Sequence, residues 1–216
     1  MHKTSLTLFV SDSIGSVSAE MTVPEKSNAI LTLAHGAGAG MNHPFMTALA
    51  NELAQLNIGT LRFNFPFTEQ KKKRPDFPAV AHKTIEAAIN KANELFPNLP
   101  LFVSGKSFGG RMSSQYLSKD HSTPVKGIIF FGFPLHPPGK PSVDRAEHLK
   151  DVKVPMLFLQ GTRDALAEWS LIEKVTSELP VATLHKLEGA NHAFKNGKQN
   201  LIPVLAQATS DWLTRI

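Results

Sequence analysis

Apolar and polar positions along the chain follow two periods that alternate from end to end. Thr4–Val10 and Ser16–Val23 switch between apolar and polar residues at nearly every step, the period of a half-buried strand. Asp12-Ser13-Ile14-Gly15 between them supplies turn chemistry, so the pair predicts an antiparallel hairpin. Ala29–Ala34 (AILTLA) is instead a continuous apolar run, the mark of a strand covered on both faces. Ile58–Phe65, Leu99–Ser104, Val125–Phe131, Val154–Gln160 and Val181–Leu187 read as further strands. Between them the spacing widens to that of helices. One is predicted from near Pro44 to about Leu56, with proline suited to a first turn. Another covers Pro78–Phe96, where Val80, Ile85, Ala88, Ile89, Ala92 and Leu95 share a face. Phe108–Lys119, Glu168–Glu178 and Gln199–Arg215 complete the helices, and Gly132–Lys150 is a Pro-rich connection. A parallel return between strands needs a crossover, so regular alternation of strand and helix implies an α/β fold with a mostly parallel sheet flanked by helices. No repeat, low-complexity tract or linker breaks the pattern, and residues 1–216 are expected to form one domain.

Composition narrows the function classes. An apolar fraction of 42% and a charged fraction of 19% belong to a globular chain and exclude a disordered one. No apolar run approaches the ~20 residues of a membrane span. Leu6-Thr-Leu-Phe-Val10 is too short and too Thr-interrupted for a signal-peptide core. The absence of cysteine rules out disulfides, thiol catalysis and Cys-based metal sites. A cytoplasmic location is the expectation. The net charge of +5 raises nucleic-acid binding as an alternative, but the excess is dispersed. Its one dense run, Lys71-Lys-Lys-Arg74, has no interleaved aromatics. A solvated loop, or a patch for an anionic substrate or partner, suits that run better, and neither nucleic acid nor a membrane is expected as a partner.

The chemistry centres on Gly105-Lys106-Ser107-Phe108-Gly109, which joins a buried strand to a helix. A G-x-S-x-G in that setting is a nucleophile elbow, a strained turn that projects the serine oxygen into a cleft. Three fixed positions recur by chance in roughly one chain of this length in fifteen. The residues downstream therefore decide. Gly161-Thr-Arg-Asp164 follows one strand and Glu188-Gly-Ala-Asn-His192 follows the last, both at carboxyl ends where open α/β sheets place their sites. Taken alone, Asp164 also suits a helix cap and His192 a surface loop. His185 lies inside a strand, and Asp144 and Asp151 do not directly follow one. Ser107, Asp164 and His192 in that order and in those loops compose nucleophile, acid and base. A serine hydroxyl is a poor nucleophile until an imidazole takes its proton, and a carboxylate orients that imidazole. The developing oxyanion needs fixed N–H donors. Phe108 and Ala37 supply them, the latter from His35-Gly-Ala-Gly-Ala-Gly40. As a phosphate loop this glycine run lacks both the G-K-[ST] ending and the G-x-G-x-x-G spacing.

Five segments in order carry a resemblance: His35–Met46, Arg62-Phe-Asn-Phe-Pro-Phe67, Gly105–Arg111, Phe133-Pro-Leu-His-Pro-Pro-Gly-Lys140 and Gly161–Asp164. Through them the chain resembles the α/β-hydrolases over nearly its whole length. Within these it is similar to the small, lidless bacterial hydrolases grouped with the testis-expressed and KANSL-type proteins, near the dienelactone hydrolases. The resemblance implies the same triad, Ser107, Asp164 and His192. It departs from many esterases at Lys106, where they carry an aromatic residue or histidine. The connection Gly132–Lys150 is too short for the lid that many relatives insert, so an open cleft is expected. Met41, Phe65, Phe67, Phe108, Phe133 and Leu135 are the expected apolar walls, with Arg62, Asn64 and His136 as polar contributors. His43 and His136 lack the carboxylate pattern of a metal site, and neither metal nor cofactor is expected. The function so implied is hydrolysis of small carboxylic esters or thioesters through an acyl-enzyme. Some eukaryotic relatives look like partners in nuclear complexes, which makes a non-catalytic binding or scaffold protein the alternative.

Overall fold

A computed structural model describes residues 1–216. The chain begins with the hairpin β1 (His2–Ser11) and β2 (Gly15–Val23), then β3 (Ala29–Ala34), α1 (Pro44–Gln55), β4 (Ile58–Phe63) and a single turn α2 (Pro66–Glu69). There follow α3 (Pro78–Leu95), β5 (Leu101–Lys106), α4 (Phe108–Leu117) and β6 (Val125–Phe131). After a 3₁₀ helix (Asp144–Asp151) come β7 (Met156–Gly161), α5 (Trp169–Ser177) and β8 (Ala182–Leu187). A small hairpin, β9 (Lys195–Asn196) and β10 (Gln199–Asn200), precedes α6 (Ile202–Leu213).

Eight strands make one sheet in the order β1-β2-β4-β3-β5-β6-β7-β8. β1 pairs antiparallel with β2 and β2 with β4, and every pairing from β4 across to β8 is parallel. The apolar runs earn their central places: β3, β4 and β7 are buried at every residue. One face is sealed by α1 and α6 through Leu49, Leu53, Leu205 and Trp212 over Leu31, Leu33 and Leu159. The other is sealed by α3, α4 and α5 through Ile85, Met112 and Ile172 over Val103, Phe130 and Phe158. This is the α/β-hydrolase fold. No lid rises from the connection after β6, whose 3₁₀ helix lies down on the core through the fully buried Leu149. No helix is long and apolar enough to cross a membrane.

Several boundaries differ from the sequence reading. β4 stops at Phe63 because Phe65 precedes a proline and turns into α2. Gln199 and Asn200, expected to open the last helix, instead form β10, the second strand of the β9–β10 hairpin, and α6 starts at Ile202. Two-residue strands hold too few positions to show a period. The signal that would have revealed the hairpin is Gly197, whose φ of 58° starts its two-residue turn.

Strand order positions the site. From β3 the chain crosses through α1 to β4 on one side, then returns through α3 to β5 on the other. The carboxyl ends of β3 and β5 therefore diverge at a topological switch point, where open α/β sheets form their crevice. Ala34 and Gly105 lie opposite each other there.

Candidate active site

Ser107 sits between β5 and α4 with φ 51° and ψ −114°, a conformation L side chains rarely adopt. Its N–H is held by the Phe131 carbonyl at 3.3 Å, and its carbonyl accepts from Arg111 N–H at 3.1 Å. Glycines make the turn possible. A Cβ on residue 109 would stand 2.5 Å from Ala34 O, and one on residue 105 would run into the backbone of Gly109 and Gly110. The strain thus rests on backbone packing against β3.

Asp164 and His192 meet beside this elbow. His192 Nδ1–H donates to Asp164 Oδ2 at 2.7 Å. The carboxylate is buried and fully engaged: Gln160 Nε2–H donates to the same oxygen at 2.7 Å, and Leu166 N–H to Oδ1 at 2.8 Å. Gln160 is fixed in turn by Phe133 N–H, which donates to its Oε1 at 2.8 Å. These bonds leave Nδ1 protonated and Nε2 as the free lone pair of the ring. Nε2 faces Lys106 Nζ at 3.2 Å, and no hydrogen bond joins it to Ser107 Oγ. The contact between lysine and histidine was not foreseen, because it spans 86 positions of sequence. Burial pushes the Lys106 ammonium down to about 7, offset in part by the Asp164 charge.

The glycine-rich loop after β3 forms the opposite wall. Ala37 N–H has no protein acceptor, and Phe108 N–H lies in the first turn of α4, where helical amides lack internal partners. His35 anchors the loop from beneath. Its Nδ1–H donates to Gly36 O at 2.8 Å, and its Nε2 accepts from Phe65 N–H at 3.1 Å. Arg62, 1% exposed, braces the far end: it donates to Met41 O at 2.7 Å and Thr47 Oγ1 at 2.9 Å, and pairs with Glu20. Asn64 Oδ1 accepts from Met41 N–H at 2.8 Å.

A cleft of about 1110 Å³ opens over Ser107 and His192. Its walls are residues 36–39, the start of α1, Leu166, and Ala193 and Phe194 with most of the β9–β10 hairpin. None of the nine residues expected as apolar walls or polar contributors, Phe108, Arg62 and Asn64 included, lines this cleft. Met41, Phe65, Phe67, Phe133, Leu135 and His136 are all buried. Phe65 and Phe67 pack edge-on against His35, and Phe65 against Phe108. His136 Nε2 accepts from Glu168 N–H at 2.9 Å while its backbone N–H donates to Leu166 O, which pins the loop carrying Asp164. The aromatic segments therefore support the loops around the cleft from within. No cluster of three His, Cys, Asp or Glu side chains converges to hold a metal ion.

A strained serine at the switch point of a mostly parallel sheet, open on a lidless cleft, defines the α/β-hydrolase class. The chain belongs to the alpha/beta hydrolase domain family, whose profile matches residues 27–207. Among solved structures it is similar to a dienelactone hydrolase from Anabaena variabilis, with TM-score 0.79 and 17% identity, covering 99% of this chain and 97% of that one. A lidless α/β serine hydrolase from Xanthomonas campestris gives TM-score 0.77 and 20% identity over 98% and 95% of the two chains. Est1E from Butyrivibrio proteoclasticus gives 0.75 and 13% over 98% of each. At these identities the likeness is one of fold. A Mycobacterium tuberculosis protein named as a phosphoribosyl transferase is 24% identical over 201 residues, 91% of this chain. The chain spans only 43% of that relative's length. The likeness to KANSL and testis-expressed proteins is not among these findings.

Proposed function

We propose that the protein is a serine hydrolase of small carboxylic esters or thioesters, working through an acyl-enzyme on Ser107. One observation carries the reading. A buried, triply hydrogen-bonded Asp164 orients His192 at 2.7 Å beside a serine held at φ 51° on the floor of an open cleft. Strain of that kind costs stability and marks functional sites.

The chemistry follows from these groups. Ser107 Oγ bonds to the substrate carbonyl carbon as its proton passes to His192 Nε2. The carbonyl π pair moves to oxygen, and the oxyanion is held by the Ala37 and Phe108 N–H groups, each donor worth ~3 to 4 kcal/mol. Asp164 stabilises the imidazolium. Collapse breaks the ester bond, and His192 returns the proton to the departing alcohol or thiol. Water repeats the cycle on the acyl-enzyme and frees the acid. No cofactor or metal enters, and a small molecule is the only partner required. Residues 1–216 act as one domain in the cytoplasm, and the resemblance carried by the five segments supports kinship with the lidless KANSL and testis-expressed-like hydrolases.

One observation favours a second reading, a binding or scaffold protein that has kept the fold without turnover: His192 Nε2 is engaged by Lys106 rather than by Ser107. Intact-mass spectrometry after exposure to a fluorophosphonate separates the two. One adduct on the wild type and none on Ser107→Ala is expected for the hydrolase. A folded wild type that stays unmodified and also turns over no ester, anionic or neutral, would establish the binding protein instead.

A further inference from the structure

The nitrogen that must accept the Ser107 proton is already taken. Lys106 Nζ stands 3.2 Å from His192 Nε2, and with Nδ1–H committed to Asp164 the lysine is the donor. The ammonium has no carboxylate partner. Its other contact is the face of Phe194, whose ring centre is 5.1 Å away. Asp164, the acid whose charge acts on it, already accepts from His192, Gln160 and Leu166. The cleft repeats this imbalance. Lys106, Lys195 and Lys198 line it, and no aspartate or glutamate does.

Two consequences follow for catalysis. A charged Lys106 in this position occupies the Nε2 lone pair, and it repels the imidazolium that proton transfer creates. Turnover needs the ammonium to leave, and an anion inside the cleft is what draws it away. We propose that Lys106 is both a latch on His192 and the anion-binding residue of the cleft, released when an ester carrying a carboxylate on its acyl chain enters. The carboxylate accepts from Nζ, Nε2 becomes free for the Ser107 proton, and Lys195 and Lys198 at the rim steer the anion inward. The depression of the Lys106 ammonium to about 7 agrees with a charge the protein leaves uncompensated. The proposal rests on the hydrolase reading and assigns its substrate class.

The test compares two para-nitrophenyl esters of matched length, the adipate half-ester and the hexanoate, on wild type, Lys106→Met and Lys106→Arg. The half-ester is expected to have a kcat/KM about tenfold or more above the hexanoate in wild type, the worth of one hydrogen bond to a charged group. In Lys106→Met the ratio falls to about one while kcat for the hexanoate rises as the latch is lost, and Lys106→Arg retains the preference. A merely structural lysine would lower both esters alike. Equal turnover of the two esters by wild type overturns the proposal whether or not the variants fold, and so does a ratio that survives in Lys106→Met. Failure of the hydrolase reading looks different: neither ester turns over and Ser107 takes up no fluorophosphonate.

Discussion

Mild acid should loosen this protein through His35. Its ring is fully buried under the glycine-rich loop, and burial pushes it down from 6.5 to about 4, against a smaller opposing effect of the bond to Gly36. A second proton has no place there, because Nε2 already accepts from Phe65 N–H. In the unfolded chain the ring titrates at its ordinary value. Between pH 6.5 and 4 the unfolded state therefore binds the proton and the folded state does not, so stability falls as the pH drops through that window and is unaffected by His35 above it. The full shift is worth roughly 3 kcal/mol, of which about 2 kcal/mol is lost by pH 5. For a chain of this size that lowers the melting temperature by roughly 4 to 8 °C. The assay is urea unfolding of wild type and His35→Gln at pH 7 and pH 5, since glutamine can accept from Phe65 N–H without titrating. His148 is also pushed down to about 4, so the variant keeps a residual slope. A His35→Gln protein that loses as much stability as wild type between the two pH values would refute the reasoning.

Two further outcomes are expected. Glu20→Ala leaves the Arg62 guanidinium buried without its ion partner and should destabilise the fold by about 3 kcal/mol in denaturant unfolding, with the Met41 end of the glycine-rich loop loosened. Asp164→Asn lets Nδ1 become an acceptor and turns a proton onto Nε2, so kcat on an activated ester should fall by roughly 10³ to 10⁴ while fluorescence-monitored unfolding shows a folded protein.

The fold was legible because burial on both faces leaves a local mark. Strands such as Ala29–Ala34 can only be continuous apolar runs, helices over the sheet must repeat at their own period, and the alternation of the two leaves few topologies. The elbow was legible for the same reason, since Gly105 and Gly109 are demanded by backbone contacts next to Ser107 in the chain. Strand ends likewise put Asp164 and His192 in loops on one edge of the sheet. What line the cleft and what hold the loops could not be sorted from sequence. Phe65, Phe133 and His136 look like a substrate wall beside the site, but whether an aromatic faces solvent or packs beneath a loop depends on neighbours from distant strands. The β9–β10 hairpin carries no periodic signal, yet it walls the cleft and supplies Lys195 and Lys198. Lys106 and His192 meet only because β5 and the loop after β8 end at the same crevice. Local periodicity records which residues are buried; contact between side chains far apart in the chain is set by sheet order, and only the tertiary structure decides it.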